Sequence, residues 1–112
     1  SAGLRGWLQA SFAGVFMVGD RSSLIEGAQR LQPALLVVDI ALAEGQLAAL
    51  LAELRSHAPH SPALLLSDYD DAHIDAVALA AGAAGVVHKA SLAAELLPAV
   101  EAVLAGRRFN AP

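Results

Sequence analysis

A short apolar run that ends in an acid constrains the fold of this chain more than any other feature. Residues 35–39 read Leu-Leu-Val-Val-Asp, with no polar residue before Asp39. A continuous apolar run this short, which opens after Pro33, predicts a strand buried on both faces. Such strands belong to parallel sheets covered by helices, and ligands of these sheets bind where the strands end. Asp39 is therefore either a site residue or the cap of the helix or turn that follows.

Two further apolar runs also end in polar residues. The run 63–66 is followed by Ser67, and the run 85–88 is followed by Lys89. Helical patterns separate these runs, and a helix over 1–10 and a strand over 13–18 are predicted before them. The alternation of strands and helices predicts parallel strands joined by right-handed helical crossovers. We expect a three-layer α/β sandwich with a parallel sheet.

Two of the helices have features that predict their starts and buried faces. Ser23 and Glu26 have the spacing of a capping box, so Ser23 is predicted to cap the helix that precedes Pro33. In the helix that ends at Gly82, the residues Ile74, Val77 and Ala81 are predicted to form a narrow apolar face.

Composition argues against several classes of function. The 112 residues carry a formal net charge of -4 and only 4% aromatic residues, which argues against nucleic-acid binding by this segment. No apolar run approaches the roughly 20 residues of a membrane span, and there is no signal peptide. The absence of cysteine rules out disulfides and thiolate metal sites and suits a cytoplasmic protein. The four histidines lack the clustered spacing of a zinc site.

The polar residues at the three strand ends are predicted to form one site. Parallel strands finish at the same edge of a sheet, so neighbouring strands would hold Asp39 and Ser67 about 5 Å apart, and Asp39 and Lys89 about 10 Å apart. The alternative is that each is simply a polar strand terminus. Together an acid, a hydroxyl and the only lysine of the chain suit phosphoryl transfer to a carboxylate. Asp39 would be the nucleophile, Lys89 would offset charge, and Ser67 would donate a hydrogen bond to the phosphoryl group.

The segments that carry these residues resemble the receiver domain of bacterial two-component response regulators. The segments are LLVVDI around Asp39, LLLSDYDD around Ser67, and AGAAGVVHKA, which contains Lys89. The closing LLPAVEAVLAGRRF is similar to the last helix of regulators in which the receiver precedes a helix-turn-helix DNA-binding domain. The resemblance covers Leu4 to Arg108 and implies a flavodoxin-like fold.

The resemblance also implies a domain organisation and partners. Residues 1–105 would form the receiver-like domain, and residues 106–112 would begin a linker to an output domain. Asp39 would be the phosphoacceptor, Ser67 the switch hydroxyl and Lys89 the phosphate-binding lysine. We expect a cytoplasmic signalling domain rather than an enzyme, with a sensor histidine kinase as its partner. We also expect a homo-oligomer, a dimer, that regulates transcription through its output domain.

The sequence departs from the receiver pattern at positions that bear on phosphorylation. Receivers begin with a strand that ends in paired acids, which hold Mg²⁺, and the chain begins after that strand. We therefore expect a fold without its first strand, in which either the strand 13–18 pairs directly with the Asp39 strand or, as we favour, another chain associates to cover the exposed edge. Mg²⁺ binding is expected to be weak or absent, with Asp39 and the backbone carbonyl of Ala41 as ligands. Asp68 replaces a small residue and Val86 replaces an aromatic one. The alternative function is a receiver-like dimerisation module that works without phosphate.

Overall fold

The computed structural model describes residues 19–110, in which strands and helices alternate around one parallel sheet. The strands are β1 (Leu36–Asp39), β2 (Ala63–Ser67), β3 (Gly85–His88) and β4 (Phe109–Asn110). The helices are α1 (Arg21–Leu31), α2 (Leu47–His57), α3 (Ala72–Ala80) and α4 (Leu92–Leu104), with 3-10 turns at Ile40–Ala43 and Lys89–Ser91. The predicted helix over 1–10 and strand over 13–18 lie outside the described residues.

The sheet has the strand order β1-β2-β3-β4, and all three pairings are parallel. The register places Asp39 beside Leu66 and Ser67 beside His88. The carboxyl ends of β1, β2 and β3 therefore meet at one edge, as the apolar runs predicted.

Helices cover both faces of the sheet because the central strand is apolar on both. In β2, Ala63 and Leu65 pack into a core with α1, α2 and α3, whereas Leu64 and Leu66 pack against α4 on the opposite face. Alternate residues of a strand point to opposite faces, so a strand that is apolar throughout must be covered twice. The predicted α/β sandwich with a parallel sheet is confirmed.

The last strand, β4, was not predicted from the sequence. Phe109 pairs with Gly85, and its N–H donates to the Ala84 carbonyl oxygen at 3.0 Å. The Phe109 side chain packs into the core on the α4 side of the sheet. A Cβ at Gly85 would lie 2.8 Å from the Phe109 carbonyl oxygen. The close approach of these two strands therefore depends on a glycine at position 85.

The helix starts and faces differ from the prediction in two places. The N-cap of α1 is Asp20, whose carboxylate accepts from the Ser23 N–H at 2.8 Å, so the helix begins earlier than the capping box predicted. In α3 the buried residues are Asp75 and Ala78, whereas Val77 is 49% exposed. The predicted apolar face of α3 was therefore wrong for Val77, whereas Ala81 packs against the core and Ile74 is half-buried. None of the helices within residues 19–110 is long and apolar enough to span a membrane.

Candidate functional site

Asp39 lies at the end of β1 and uses its two carboxylate oxygens differently. Oδ1 accepts from the Ala41 N–H at 3.0 Å and so caps the 3-10 turn. Oδ2 lies 2.6 Å from the Lys89 Nζ atom. Burial would raise the pKa of the Asp39 carboxyl, but the hydrogen bonds from Lys89 and Ala41 hold this pKa below its ordinary value. The side chain is 39% exposed, so the ionised carboxylate is accessible to a reagent.

Lys89 follows β3 directly and reaches across the end of β2 to Asp39. Because β3 lies two strands away from β1, only a long side chain can make this contact. The same Nζ atom lies 3.0 Å from Oδ1 of Asp68. The hydrogen bond to Asp39 and, less strongly, the bond to Asp68 raise the pKa of the Lys89 amine. Lys89 is therefore an ammonium shared by two carboxylates.

Ser67 lies at the end of β2, between β1 and β3, but its hydroxyl bonds to Tyr69 rather than to Asp39 or Lys89. Oγ accepts from the Tyr69 N–H at 3.1 Å and donates to the Tyr69 carbonyl oxygen at 3.2 Å. The residue is fully buried. Within the described part of the chain, the structure thus brings Asp39 and Lys89 into contact, while Ser67 bonds to the loop that follows it. Its hydroxyl must rotate away from Tyr69 to donate to a group on Asp39.

Sequence reasoning missed a buried polar pair next to this site. The Nε2 atom of His88 lies 2.8 Å from Oδ2 of Asp75, and both side chains are nearly inaccessible. The other Asp75 oxygen is buried and has no partner among residues 19–110. The pair joins α3 to the end of β3, immediately before Lys89. One signal was available: His88 is a polar residue at the end of a strand that is otherwise apolar.

The described residues do not fit a magnesium site by themselves. Mg²⁺ requires several oxygen ligands in octahedral geometry, and residues 19–110 contain no cluster of three acidic or histidine side chains. Of the two predicted ligands, Asp39 is bonded to Lys89 and Ala41, and the Ala41 carbonyl accepts from the Glu44 N–H at 3.2 Å. Metal binding by Asp39 and Ala41 therefore stays a prediction.

An open cleft lies beside the site. Its volume is about 480 Å³, and it lies between the turn after β1 and helix α3. Residues of both sides line it, among them Ile40, Ala41, Glu44, Asp68, Tyr69 and His73. Asp39 and Lys89 do not line the cleft, but Ala41 and Asp68, which contact them, do.

The fold and the site together define a class of protein: a parallel α/β domain with an accessible aspartate held by a lysine at its strand ends. The model of the response regulator receiver domain family matches residues 1–101. The chain therefore belongs to the receiver domain family of two-component response regulators, and the resemblance seen in the sequence is confirmed. Receiver domains are signalling domains. A comparison with curated proteins finds no match.

Solved structures with the same fold include other response regulators. A LuxR-family two-component response regulator from Aurantimonas sp. SI85-9A1 is 27% identical, with a TM-score of 0.86 over 99% of this chain and 81% of that one. The isolated receiver domain of RcsB from Salmonella enterica serovar Typhimurium has a TM-score of 0.79 at 24% identity, over 98% and 83% of the two chains. A LuxR-family DNA-binding response regulator from Silicibacter pomeroyi has a TM-score of 0.75 at 24% identity, over 99% and 86%. The last two likenesses establish the fold alone.

Proposed function

We propose that this receiver domain accepts a phosphoryl group on Asp39 from the phosphohistidine of a sensor histidine kinase. The observation that carries the proposal is the 2.6 Å contact between Asp39 and Lys89 across the end of the sheet. An accessible, ionised carboxylate can act as the nucleophile, and the ammonium beside it offsets the charge that the phosphoryl group brings. This contact favours the phosphoacceptor over the phosphate-independent dimerisation module.

The transfer needs little covalent chemistry from the protein. One carboxylate oxygen of Asp39 forms the new O–P bond while the P–N bond of the phosphohistidine breaks. The departing imidazole keeps the electron pair of that bond. Lys89 is in place to bond a phosphoryl oxygen, and Ser67 can donate to another once its hydroxyl leaves Tyr69. Phosphoryl transfer depends mainly on such positioning and charge neutralisation.

We further propose that the domain acts on transcription through a DNA-binding domain outside this chain. In this arrangement residues 1–105 are the receiver and residues 106–112 begin the linker, whose residues 109–110 still pair with the receiver sheet as β4. The support is the likeness to a LuxR-family two-component response regulator at 27% identity, together with the similarity of the segment LLPAVEAVLAGRRF to the last helix of regulators that carry a helix-turn-helix domain. The net charge of -4 agrees with DNA binding by a different domain. We propose that the domain acts as a cytoplasmic homodimer; the cytoplasmic location agrees with the lack of cysteine.

Labelling with a small phosphodonor tests the assignment of Asp39. The protein is incubated with acetyl phosphate, and the modified residue is located by mass spectrometry. We expect a single label on Asp39 that Asp39→Asn abolishes. Asp70→Asn is the matched control, because Asp70 is 91% exposed and makes no contact with Lys89. A label on Asp68 or Asp70, or a label that survives Asp39→Asn, would contradict the proposal.

A further inference from the structure

The ammonium of Lys89 is already occupied by two carboxylates before any phosphoryl group arrives. Its Nζ atom lies 2.6 Å from Asp39 Oδ2 and 3.0 Å from Asp68 Oδ1. Because both oxygens contact the same Nζ atom, the carboxylates of Asp39 and Asp68 lie close to each other. An oxygen of a phosphoryl group on Asp39 would bond to the same lysine, and the negative charge of Asp68 lies beside that position.

The charges of the site make this arrangement unfavourable for a phosphoryl group. One ammonium faces two carboxylates, so the three side chains carry one excess negative charge. Phosphorylation of Asp39 replaces a single negative charge by about two. No other cationic side chain bonds to these carboxylates within residues 19–110. The phosphoryl group must therefore displace Asp68 from Lys89 or share the lysine with it.

We propose that Asp68 is a positioning residue that restrains phosphorylation by competing with the phosphoryl group for Lys89. This inference rests on the proposed function of Asp39. The restraint is strongest for free anionic phosphodonors, because a dianionic donor must bring its whole charge into the mouth of the site beside the Asp68 carboxylate. Asp68 is thereby a specificity-determining residue that disfavours small, highly charged donors.

The test compares two phosphodonors of different charge on the wild type and on Asp68→Asn. Acetyl phosphate is a dianion near neutral pH, whereas phosphoramidate carries less net charge. We expect Asp68→Asn to accelerate the labelling of Asp39 by acetyl phosphate about tenfold, as removal of one nearby, partly screened charge predicts. The gain with phosphoramidate is expected to be clearly smaller, and high salt is expected to reduce both gains.

Two further variants separate charge from shape. Asp68→Glu keeps the charge and should label at a rate close to that of the wild type, whereas Asp70→Asn removes an exposed charge that does not touch Lys89 and should change little. A second measurement, besides the rate of Asp39 labelling, needs no phosphodonor. Because Lys89 is the only lysine, its acylation by an amine reagent can be followed by mass spectrometry, and Asp68→Asn should speed this acylation.

The outcomes distinguish a failure of this inference from a failure of the proposed function. If Asp39 is labelled at the same rate in the wild type and in Asp68→Asn, Asp68 exerts no restraint, while Asp39 remains the phosphoacceptor. An equal gain with both donors would also overturn the inference, because a charge effect must follow the charge of the donor. If Asp39 is labelled in neither protein, the proposed function itself is wrong.

Discussion

Replacement of His88 by leucine should destabilise the fold more than any change at the neighbouring phosphoacceptor site. His88 bonds to Oδ2 of Asp75 at 2.8 Å, and Asp75 as a whole is only 4% exposed. The second Asp75 oxygen has no partner in the described part of the chain. His88→Leu therefore leaves a buried carboxyl group with neither oxygen bonded, whereas the leucine itself is compatible with the apolar surroundings.

The expected cost follows from the burial of this group. Removal of one member of a buried polar pair typically costs about 3–5 kcal/mol, because the other member stays buried and uncompensated. A domain of this size has a total stability of about 5–15 kcal/mol, so the loss is a large share. Asp75→Leu should cost less, about 1–3 kcal/mol, since a buried imidazole is cheaper to leave unpaired than a buried carboxyl group. The double variant should be more stable than His88→Leu alone.

Denaturant unfolding of the four proteins forms a double-mutant cycle that measures the coupling between the two residues. His73→Leu is the matched control, because His73 is an exposed histidine on α3, the helix that carries Asp75. This substitution should change the free energy of unfolding by less than about 0.5 kcal/mol. A loss below about 1 kcal/mol in His88→Leu would refute the reasoning. A double variant as unstable as the sum of the single variants would refute it equally.

Three further predictions concern the sheet and the acid–lysine pair. Gly85→Ala should destabilise the fold by about 1–3 kcal/mol and release β4, because the alanine Cβ would lie 2.8 Å from the Phe109 carbonyl oxygen. Hydrogen exchange of the Phe109 amide checks this prediction, and unchanged protection of that amide would contradict it. Lys89→Ala should slow phosphorylation but change the free energy of unfolding by no more than about 0.5 kcal/mol, since the Lys89 side chain is partly exposed at the rim of the sheet. Denaturant melts that show a loss of several kcal/mol would instead make Lys89 a structural residue. Because the folded-state pKa of Asp39 is lowered, its contribution to stability is present above the ordinary carboxyl pKa and is lost as the pH falls through the folded-state value. Acid unfolding should therefore show that the wild type and Asp39→Asn converge in stability at low pH, and a difference that grows on acidification would have the wrong sign.

The sequence by itself determined the fold class and the position of the candidate site. Runs such as 35–38 and 63–66 are apolar at every position, and that pattern is typical of a strand covered on both faces. Parallel strands joined by helices must end at one edge, so the placement of Asp39 and Lys89 at that edge followed from the order of the elements, whereas their contact depends on the strand order in the sheet. These features are local or topological, and neither depends on the details of packing.

The tertiary structure decided which polar groups are paired, because pairing depends on neighbours that are distant in sequence. The apolar pattern of α3 predicted Val77 as a buried residue, yet Asp75 is buried in its place and bonds to His88 from another element. The hydroxyl of Ser67 faces the backbone of Tyr69 rather than Asp39. In the same way, the side chain of Asp68 reaches Lys89, whose charge then serves two acids. The orientation of a side chain is set by the partners that the fold brings near it, and the periodicity of a sequence carries no information about those partners.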